Sequence, residues 1–414
     1  MGTRERKRNP AFNRRPMVLL AFGLCVGIVA GRHMPGAHAP VAMCLFLVLV
    51  AASLPLKKRA LTIVLIGAAL GFARMLPHLP PSGALGEGAV FALANAQIDL
   101  PESVAGIARG IYALCDRLFL EASPLVRAIV LGDTSKLTYF DNEAFRAAGV
   151  SHILALSGLN ASILAELLAR LIPKRCPAPR FFSVAAFLAV YCLLAAFPAS
   201  LLRACVMSLC ILAAPALGRK SDPLSALALA FVLIALPLPF SLFSAGFQLS
   251  FAATAGILGL YEPIRARLEP LPSPVAADAA LTLSATLATL PFTLVIFGRL
   301  PLYSLAANLV VVPLVTLSLP LAIAALLAGW AWLPLGNALA FPVRLLADAA
   351  DYLSKAFASL PLSVLRFEEP SALACALFLT ALALLSKYCL LENKKKYAAA
   401  SVLVALSALA LVFL

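Results

Sequence analysis

The residues best suited to chemistry in this chain are crowded into one apolar stretch, residues 149–160. It contains His152, Ser157, Gly158 and Asn160, and such groups are costly to bury in hydrocarbon without a packing or transport role. Ser157 and Asn160 are three residues apart and would share a helix face, while Gly158 lets another backbone approach or marks a break in the helix. The stretch indicates either hydrogen bonding between helices or a polar path for a solute.

Two other apolar stretches carry polar residues of the same kind. Arg203 lies at the start of one, where an Arg either snorkels to the membrane interface or faces an anionic solute. Gln248 is expected near the middle of another, in which Gly246, Ser250 and Thr254 recur at intervals of four. That small-xxx-small spacing favours tight helix packing and also permits a homodimer.

A further polar residue, Asn308, lies in a proline-rich part of the chain with Pro291, Pro313 and Pro320. Prolines break or kink membrane helices, and the backbone groups that they free are used to build many transport sites. Asn308 is therefore another candidate for a solute path.

Motifs of soluble enzymes are missing from the sequence. It has no GxxxxGK[ST] phosphate loop and no HExxH motif, and its nine cysteines are scattered without a CxxC pair. His152 and Ser157 would point apart on a continuous helix, which disfavours a Ser–His hydrolase. We expect no metal site, no cofactor and no disulfide framework.

Composition defines the elements that must position these residues. Hydrophobic residues make up 62% of the 414 and charged residues 13%, which a soluble core cannot accommodate. The sequence predicts an all-α polytopic membrane bundle of about 11–13 transmembrane helices, some broken or re-entrant. The expected spans are 17–31, 40–56, 60–76, 152–172, 181–199, 201–217, 223–238, 241–260, 276–297, 302–328, 371–387 and 398–414, with a weaker candidate at 335–353.

Basic residues predict the orientation. Alternate loops hold 20 of the 33 Lys and Arg, which places the N-terminus in the cytoplasm. To keep the basic run 394–396 on that side, either 335–353 crosses or 302–328 is re-entrant. The net charge of +14 fits basic cytoplasmic loops and also attraction of a polyanion.

The predicted organisation has four parts. Residues 1–77 form about three N-terminal membrane helices, and 78–123 form an extracytoplasmic linker and an amphipathic helix. Residues 124–390 form a channel-type membrane domain, and 391–414 form a basic loop and the last helix. The amphipathic helix lies at the membrane surface or against the bundle. Its expected apolar face consists of Val104, Ile107, Ile111, Leu114 and Leu118.

Five ordered motifs resemble one family. They are LGD at 131–133 followed by FRAAGVSHILALSGL at 145–159, SLLRA at 200–204, GFQLSF at 246–251, TLP at 289–291 with FG at 297–298, and Asn308 with Pro313. Together they are similar to the hallmark motifs of the ComEC family, over roughly residues 125–330.

The resemblance implies an inner-membrane channel that imports single-stranded DNA during natural transformation. It implies single-stranded DNA and membrane lipids as partners, together with DNA-receptor proteins and a cytoplasmic helicase or ATPase. Asp133 and Arg146 would lie at the outer mouth. The residues expected along the DNA path are His152, Ser157, Gly158, Asn160, Arg203, Gln248, Ser250 and Asn308.

The sequence departs from the family pattern at three places. Asn160 stands where the family usually has His, residues 76–101 leave no room for the family's extracytoplasmic β-barrel, and no metallo-β-lactamase-like domain follows the membrane part. We therefore expect no nuclease or other enzyme activity. Two alternatives stay open: a transporter of another anionic or lipid-like solute with the same membrane domain, and a non-conducting subunit of an uptake complex.

Overall fold

The computed structural model describes residues 15–33, 42–45, 59–78, 86–94, 101–154, 156, 158–173, 175–270, 272–367, 371–389 and 393–413. Within these ranges the chain is almost entirely helical, with one pair of short strands. Of the predicted span 40–56, only residues 42–45 are among them.

The helices follow the predicted spans closely. They are α1 Pro16–Arg32, α2 Arg59–Met75, α3 Glu87–Ala94, α4 Glu102–Phe119, α5 Ser123–Leu131, α6 Tyr139–Ala147, α7 Gly158–Leu171, α8 Pro177–Leu194, α9 Ala199–Ala216, α10 Pro223–Ala235, α11 Ala245–Arg265, α12 Ser273–Phe297, α13 Ser304–Ala331, α14 Leu333–Ala358, α15 Ala372–Leu385 and α16 Asn393–Phe413. Strand β1 (Arg299–Pro301) pairs antiparallel with β2 (Val364–Arg366) between α12 and α15.

The helices confirm the all-α polytopic membrane bundle. In the described residues, five helical segments are long and apolar enough to cross a membrane: Ala60–His78, Pro177–Leu194, Ala199–Ala216, Ser273–Phe297 and Ser304–Ala331. Three shorter apolar helices, Pro16–Arg32, Pro223–Ala235 and Leu373–Leu385, accompany them. Many large apolar side chains on these helices are exposed, as expected of surfaces that face lipid rather than water.

Two predicted spans are broken near their starts. The span at 152–172 opens with a 3₁₀ turn, Ser151–Ile153, and its α-helix begins only at Gly158. The span at 241–260 opens with a 3₁₀ turn, Pro239–Phe243, and its α-helix begins at Ala245, where the Ser244 hydroxyl accepts from the Phe247 amide. Gln248 therefore lies in the first turn of α11, and its expected position near the middle of the span was wrong.

Helices α13 and α14 form a long antiparallel hairpin. Helix α13 is continuous over 28 residues, about 42 Å at 1.5 Å per residue, and α14 returns along it for 26 residues. The start of α13 and the end of α14 lie together at the open end of the hairpin, and both contact α6. Arg299 ahead of α13 pairs with Glu143, and Lys355 near the end of α14 pairs with Asp141. Helix α14, which contains the weaker candidate 335–353, is not among the described segments that are long and apolar enough to cross a membrane, so the choice between the two predicted arrangements stays a prediction.

Basic loops that are far apart in sequence meet at one end of the bundle. Arg15 forms an ion pair with Asp222 at 2.8 Å and lies over the ring of Tyr388. Arg267 lies over the ring of Tyr397. The contacts join the segments ahead of α1, α10, α12 and α16, whose Lys and Arg residues define the predicted cytoplasmic side.

The amphipathic helix α4 packs against the bundle, beside α13 and α14. Its buried face is formed by Ala108, Cys115, Leu118 and Phe119, whereas Ile107 is 59% exposed and does not belong to it. Of the predicted apolar face, Leu118 is buried and Ile111 and Leu114 pack against the core, so the prediction is confirmed in the C-terminal half of the helix and wrong at Ile107. Arg344 of α14 donates a hydrogen bond from Nε to the Leu118 carbonyl, 2.8 Å away.

Helices α1 and α2 touch backbone to backbone through glycines. A methyl group at Gly27 would overlap the carbonyl oxygen of Ala68, and one at Gly71 would overlap that of Leu24. This is the small-residue packing that lets membrane helices associate without a hydrophobic driving force between them.

We predict that Gly27→Ala lowers the stability of the detergent-solubilised protein. The added methyl must push α2 away from α1, and overpacking costs typically about 1–3 kcal/mol. Gly110→Ala on α4 is the matched control, since no atom lies within 4 Å of its added methyl. The apparent unfolding temperature should fall for the first variant only, and equal temperatures for both would contradict the packing.

Candidate functional site around Arg203

Of the polar stretch 149–160, residues 149–154 and 156 belong to the connection between α6 and α7, and residues 158–160 begin α7. Gly149 adopts φ +76°, in the left-handed region, and a side chain there would overlap Ser304 at the start of α13. The chain then makes the 3₁₀ turn that carries the exposed His152 before α7 begins. Ser157 lies outside the described residues.

The buried helix α5 ends inside the bundle, where its last carbonyl groups have no helical partners. The Gly132 amide donates a hydrogen bond to one of them, the Ala128 carbonyl. Asn160 Nδ2 donates to the Ile129 carbonyl at 3.0 Å, and the Tyr191 hydroxyl donates to the Val130 carbonyl at 2.8 Å. Asn160 is therefore a structural donor that joins α7 to α5.

The break before α7 is joined to α9 in the same way. Ser200 Oγ, in the first turn of α9, donates to the Leu156 carbonyl at 2.7 Å. Gly158 packs directly on α9, since a methyl group at this position would overlap Arg203 Nη2. Gly158 has both of the roles considered for it, since it lets α9 approach closely and the α-helix of the span begins at it.

Arg203 lies where α7, α9 and α11 meet, and its residue surface is only 9% exposed. Its Nε donates to Ser250 Oγ at 2.9 Å, and its Nη1 donates to Thr254 Oγ1 and contacts the sulfur of Met207. In the described part of the chain, no carboxylate lies within ion-pair distance of it. Arg203 is thus a buried cation whose partners are neutral.

An unpaired buried charge is strongly unfavourable, because hydroxyl groups replace only part of the hydration that it loses. Arg keeps its charge under all physiological conditions, so the site cannot neutralise itself by losing a proton. The bidentate guanidinium is suited to carboxylate and phosphate groups. The arrangement is therefore chemically a receptor for an anion, closed over by α7.

Two other expected path residues lie apart from this cluster. Gln248 is half-buried, and its Nε2 donates to the Leu242 carbonyl at 3.0 Å, which holds the preceding 3₁₀ turn. Asn308 has a buried Oδ1 that finds no hydrogen-bond donor among the described residues. Of the path residues that the structure describes, Gly158, Arg203 and Ser250 are brought into contact.

Sequence reasoning missed Tyr191, Ser200 and Thr254 as members of this hydrogen-bonded site. Thr254 carried a usable signal, since it follows Ser250 by one helical turn and both hydroxyls reach Arg203. Ser200 carried a signal as the first residue of the SLLRA motif, although nothing in the sequence indicated its acceptor. Tyr191 carried none, because its acceptor is a backbone carbonyl of a distant helix.

The two residues expected at the outer mouth differ in environment. Asp133 accepts from Arg127 Nε at 2.9 Å, and Arg127 also pairs with Asp116 and lies over the ring of Tyr112. The Asp133 carboxylate therefore holds the segment after α5 against Arg127 of the same helix, and Arg127 joins α5 to α4 through Asp116. Arg146 is exposed and has no partner among the residues whose positions are described.

This ion-pair network changes the acidity of its carboxyl groups. Burial works to raise the pKa of Asp133, but hydrogen bonds from Ser135 and Arg127 outweigh it and hold the pKa below its usual value. At Asp116 burial also works to raise the pKa. Hydrogen bonds from Lys136 and Ser123, together with the charge of Arg127, outweigh burial and lower the pKa of Asp116.

Comparison with known proteins follows the same region of the chain. The profile of the family described as "Competence protein" matches residues 129–391. ComE operon protein 3 of Bacillus subtilis (strain 168) is 30% identical over 218 residues, which are 50% of this chain and 26% of that protein. The chain thus matches about a quarter of the length of this relative. No solved structure matches significantly.

We predict that Asn160→Asp destabilises the protein, whereas Asn160→His does so less. Asp removes the donor to the Ile129 carbonyl and leaves a buried acceptor unsatisfied, at a cost of about 1–3 kcal/mol. A His retains an N–H donor. Unfolding temperatures of the purified variants test this, and an unchanged value for Asn160→Asp would show that the carbonyl needs no donor.

We also predict that the protein loses stability in acid below about pH 4. A carboxyl group whose folded pKa is lowered stabilises the fold above its unfolded pKa, and that contribution is lost as the pH falls through the folded pKa. Asp133→Asn should lower the unfolding temperature at pH 7 and reduce its fall between pH 5 and pH 3. An equally steep fall in the variant would contradict a role for Asp133.

Proposed function

The chain belongs to the competence protein family, and on that premise we propose that it forms the path by which single-stranded DNA crosses the bacterial cytoplasmic membrane during natural transformation. The curated relative supports competence as the process. The observation that carries the proposal is the buried Arg203, which is held by Ser250 and Thr254 without a carboxylate partner.

A single strand of DNA is a suitable anion for this site. Its phosphates repeat along the chain and are the same for every base, so a cation in the path serves any sequence. A guanidinium surrounded by hydroxyl groups offers each phosphate hydrogen bonds in a medium of low dielectric constant. Because the hydroxyls are neutral, they leave the charge of Arg203 available to the passing strand.

The described conformation is closed. Arg203 is covered by α7 through Gly158, and the Leu156 carbonyl beside it is bonded to Ser200. A strand reaches the guanidinium only when the break before α7 separates from α9. A closed resting state suits such a path, because an open one would dissipate the ion gradients of the membrane.

Transport needs a partner that supplies energy. With the inside negative, the membrane potential opposes entry by about 2.3 kcal/mol per charge per 100 mV. We propose that DNA-receptor proteins deliver the strand from outside and that a cytoplasmic helicase or ATPase pulls it inwards. The end at which Arg15 contacts Asp222 and Tyr388, and Arg267 contacts Tyr397, is the proposed cytoplasmic side.

We propose that this chain has a conducting rather than a catalytic role. The cluster around Arg203 contains a cation and hydroxyl groups but lacks a general base in contact with them. Such a set binds an anion and provides no route for cleaving it. Degradation of the second strand would then fall to another protein or domain.

The test is DNA uptake in a strain that lacks the gene and is complemented with variants. Arg203→Met keeps most of the side-chain volume and removes the charge. We expect it to lower DNA entry about 10- to 100-fold, since a hydrogen bond to a charged group is worth about 1.5–3 kcal/mol. Arg203→Lys should be intermediate, because it keeps the charge without the planar fork. Labelled DNA bound at the cell surface should be unchanged.

Arg109→Met is the matched control, since Arg109 is exposed on α4 and its partners among the described residues, Glu102 and the Ala105 carbonyl, lie on the same helix. It should leave DNA entry at the wild-type value, and membrane levels of all variants should be equal. Wild-type uptake in the gene deletion would exclude DNA and favour another anionic solute. A defect in the deletion with normal uptake by Arg203→Met would instead favour a non-conducting subunit.

A further inference from the structure

Two cysteines meet in the core beside the Arg203 site. Cys192 near the end of α8 and Cys205 on α9 place their sulfur atoms 3.2 Å apart. Both side chains are buried, and both belong to the largest apolar core. The pair does not have CxxC spacing, because its two cysteines are 13 positions apart in the sequence. Cys210, further along α9, is only half-buried and has no thiol partner in the described ranges.

The turn that joins the two helices is strained. Ala196 and Phe197 have φ values of 57° and 56°, in the left-handed region that non-glycine residues avoid. Residues persist in such conformations only where the surrounding structure holds them. Here the Phe197 amide bonds to the Cys192 carbonyl at 2.9 Å, so the strained turn is anchored at the residue that carries the thiol.

The compartment also favours oxidation. In the orientation proposed above, on which this step rests, the turn between α8 and α9 faces outside, and both thiols lie in the outer halves of their helices. Disulfides form and persist outside the cytoplasm. The turn reaches that compartment during insertion, before the bundle closes over the thiols.

We propose that Cys192 and Cys205 are oxidised to a disulfide in the mature protein. Both S–H bonds break and one S–S bond forms, and two electrons and two protons pass to the disulfide of an extracytoplasmic thiol–disulfide oxidoreductase, which becomes a dithiol. The sulfur atoms need to approach from 3.2 Å to about 2.0 Å. The closed loop contains Ser200 and Arg203, so the bond fixes the helix turns that carry the anion site.

The sequence offers a direct assay on the full-length protein. Membranes are treated with N-ethylmaleimide to block free thiols, and the protein is denatured and cut with trypsin without reductant. Cleavage after Arg180, Arg203 and Arg219 separates a peptide with Cys192 from a peptide with Cys205 and Cys210. We expect the two peptides to remain joined and to separate on reduction. Recovery of Cys192 and Cys205 as maleimide adducts would overturn the proposal.

Three variants identify the bond and its effect. The joined peptide should be lost in Cys192→Ala and Cys205→Ala and kept in Cys210→Ala, and a bond that needs Cys210 would overturn the assignment. Reductant should lower the apparent unfolding temperature of the wild type by several degrees and leave the Cys192→Ala/Cys205→Ala protein unchanged. Because the assay reads covalent mass, its result is independent of DNA uptake.

Discussion

Backbone carbonyl groups inside an apolar bundle must find donors, and the centre of this protein is arranged around that requirement. The end of α5 and the break before α7 leave carbonyls free where no water is expected. Asn160, Tyr191 and Ser200, from three different helices, supply one donor each. These bonds join α5, α7, α8 and α9 at the place where membrane helices would otherwise be free to slide.

The same requirement explains why a charged residue can lie beside the break. Arg203 reaches the centre because Gly158 has no side chain, and it is tolerated there because Ser250 and Thr254 offer oxygen atoms. A closed state that left a cation with no polar contact would be too costly. A closed state that paired Arg203 with a carboxylate would neutralise the charge that attracts an anion. The hydroxyl pair lies between these limits.

Much of this fold could be predicted from the sequence, because a membrane span requires a run of about 20 apolar residues. Gly158 was named as a possible break from its residue type, but the break at Ala245 was not located, since a 3₁₀ turn ahead of a helix has the same hydropathy as the helix itself. The sequence identified Arg203, Gly158 and Ser250 individually. It did not predict that they contact one another, because that contact depends on the packing of three helices. The Cys192–Cys205 contact was missed for the same reason.

Helix α9 brings these features together. Ser200, Arg203 and Cys205 lie within two turns of it, and each contacts a different neighbour: the break before α7, α11 and α8. A displacement of α9 that freed the Leu156 carbonyl would therefore also move the guanidinium and load the strained turn at Ala196. On the proposed function, opening the path and exposing its charge would then be one motion, and Arg203 would stay covered until a strand is present to neutralise it.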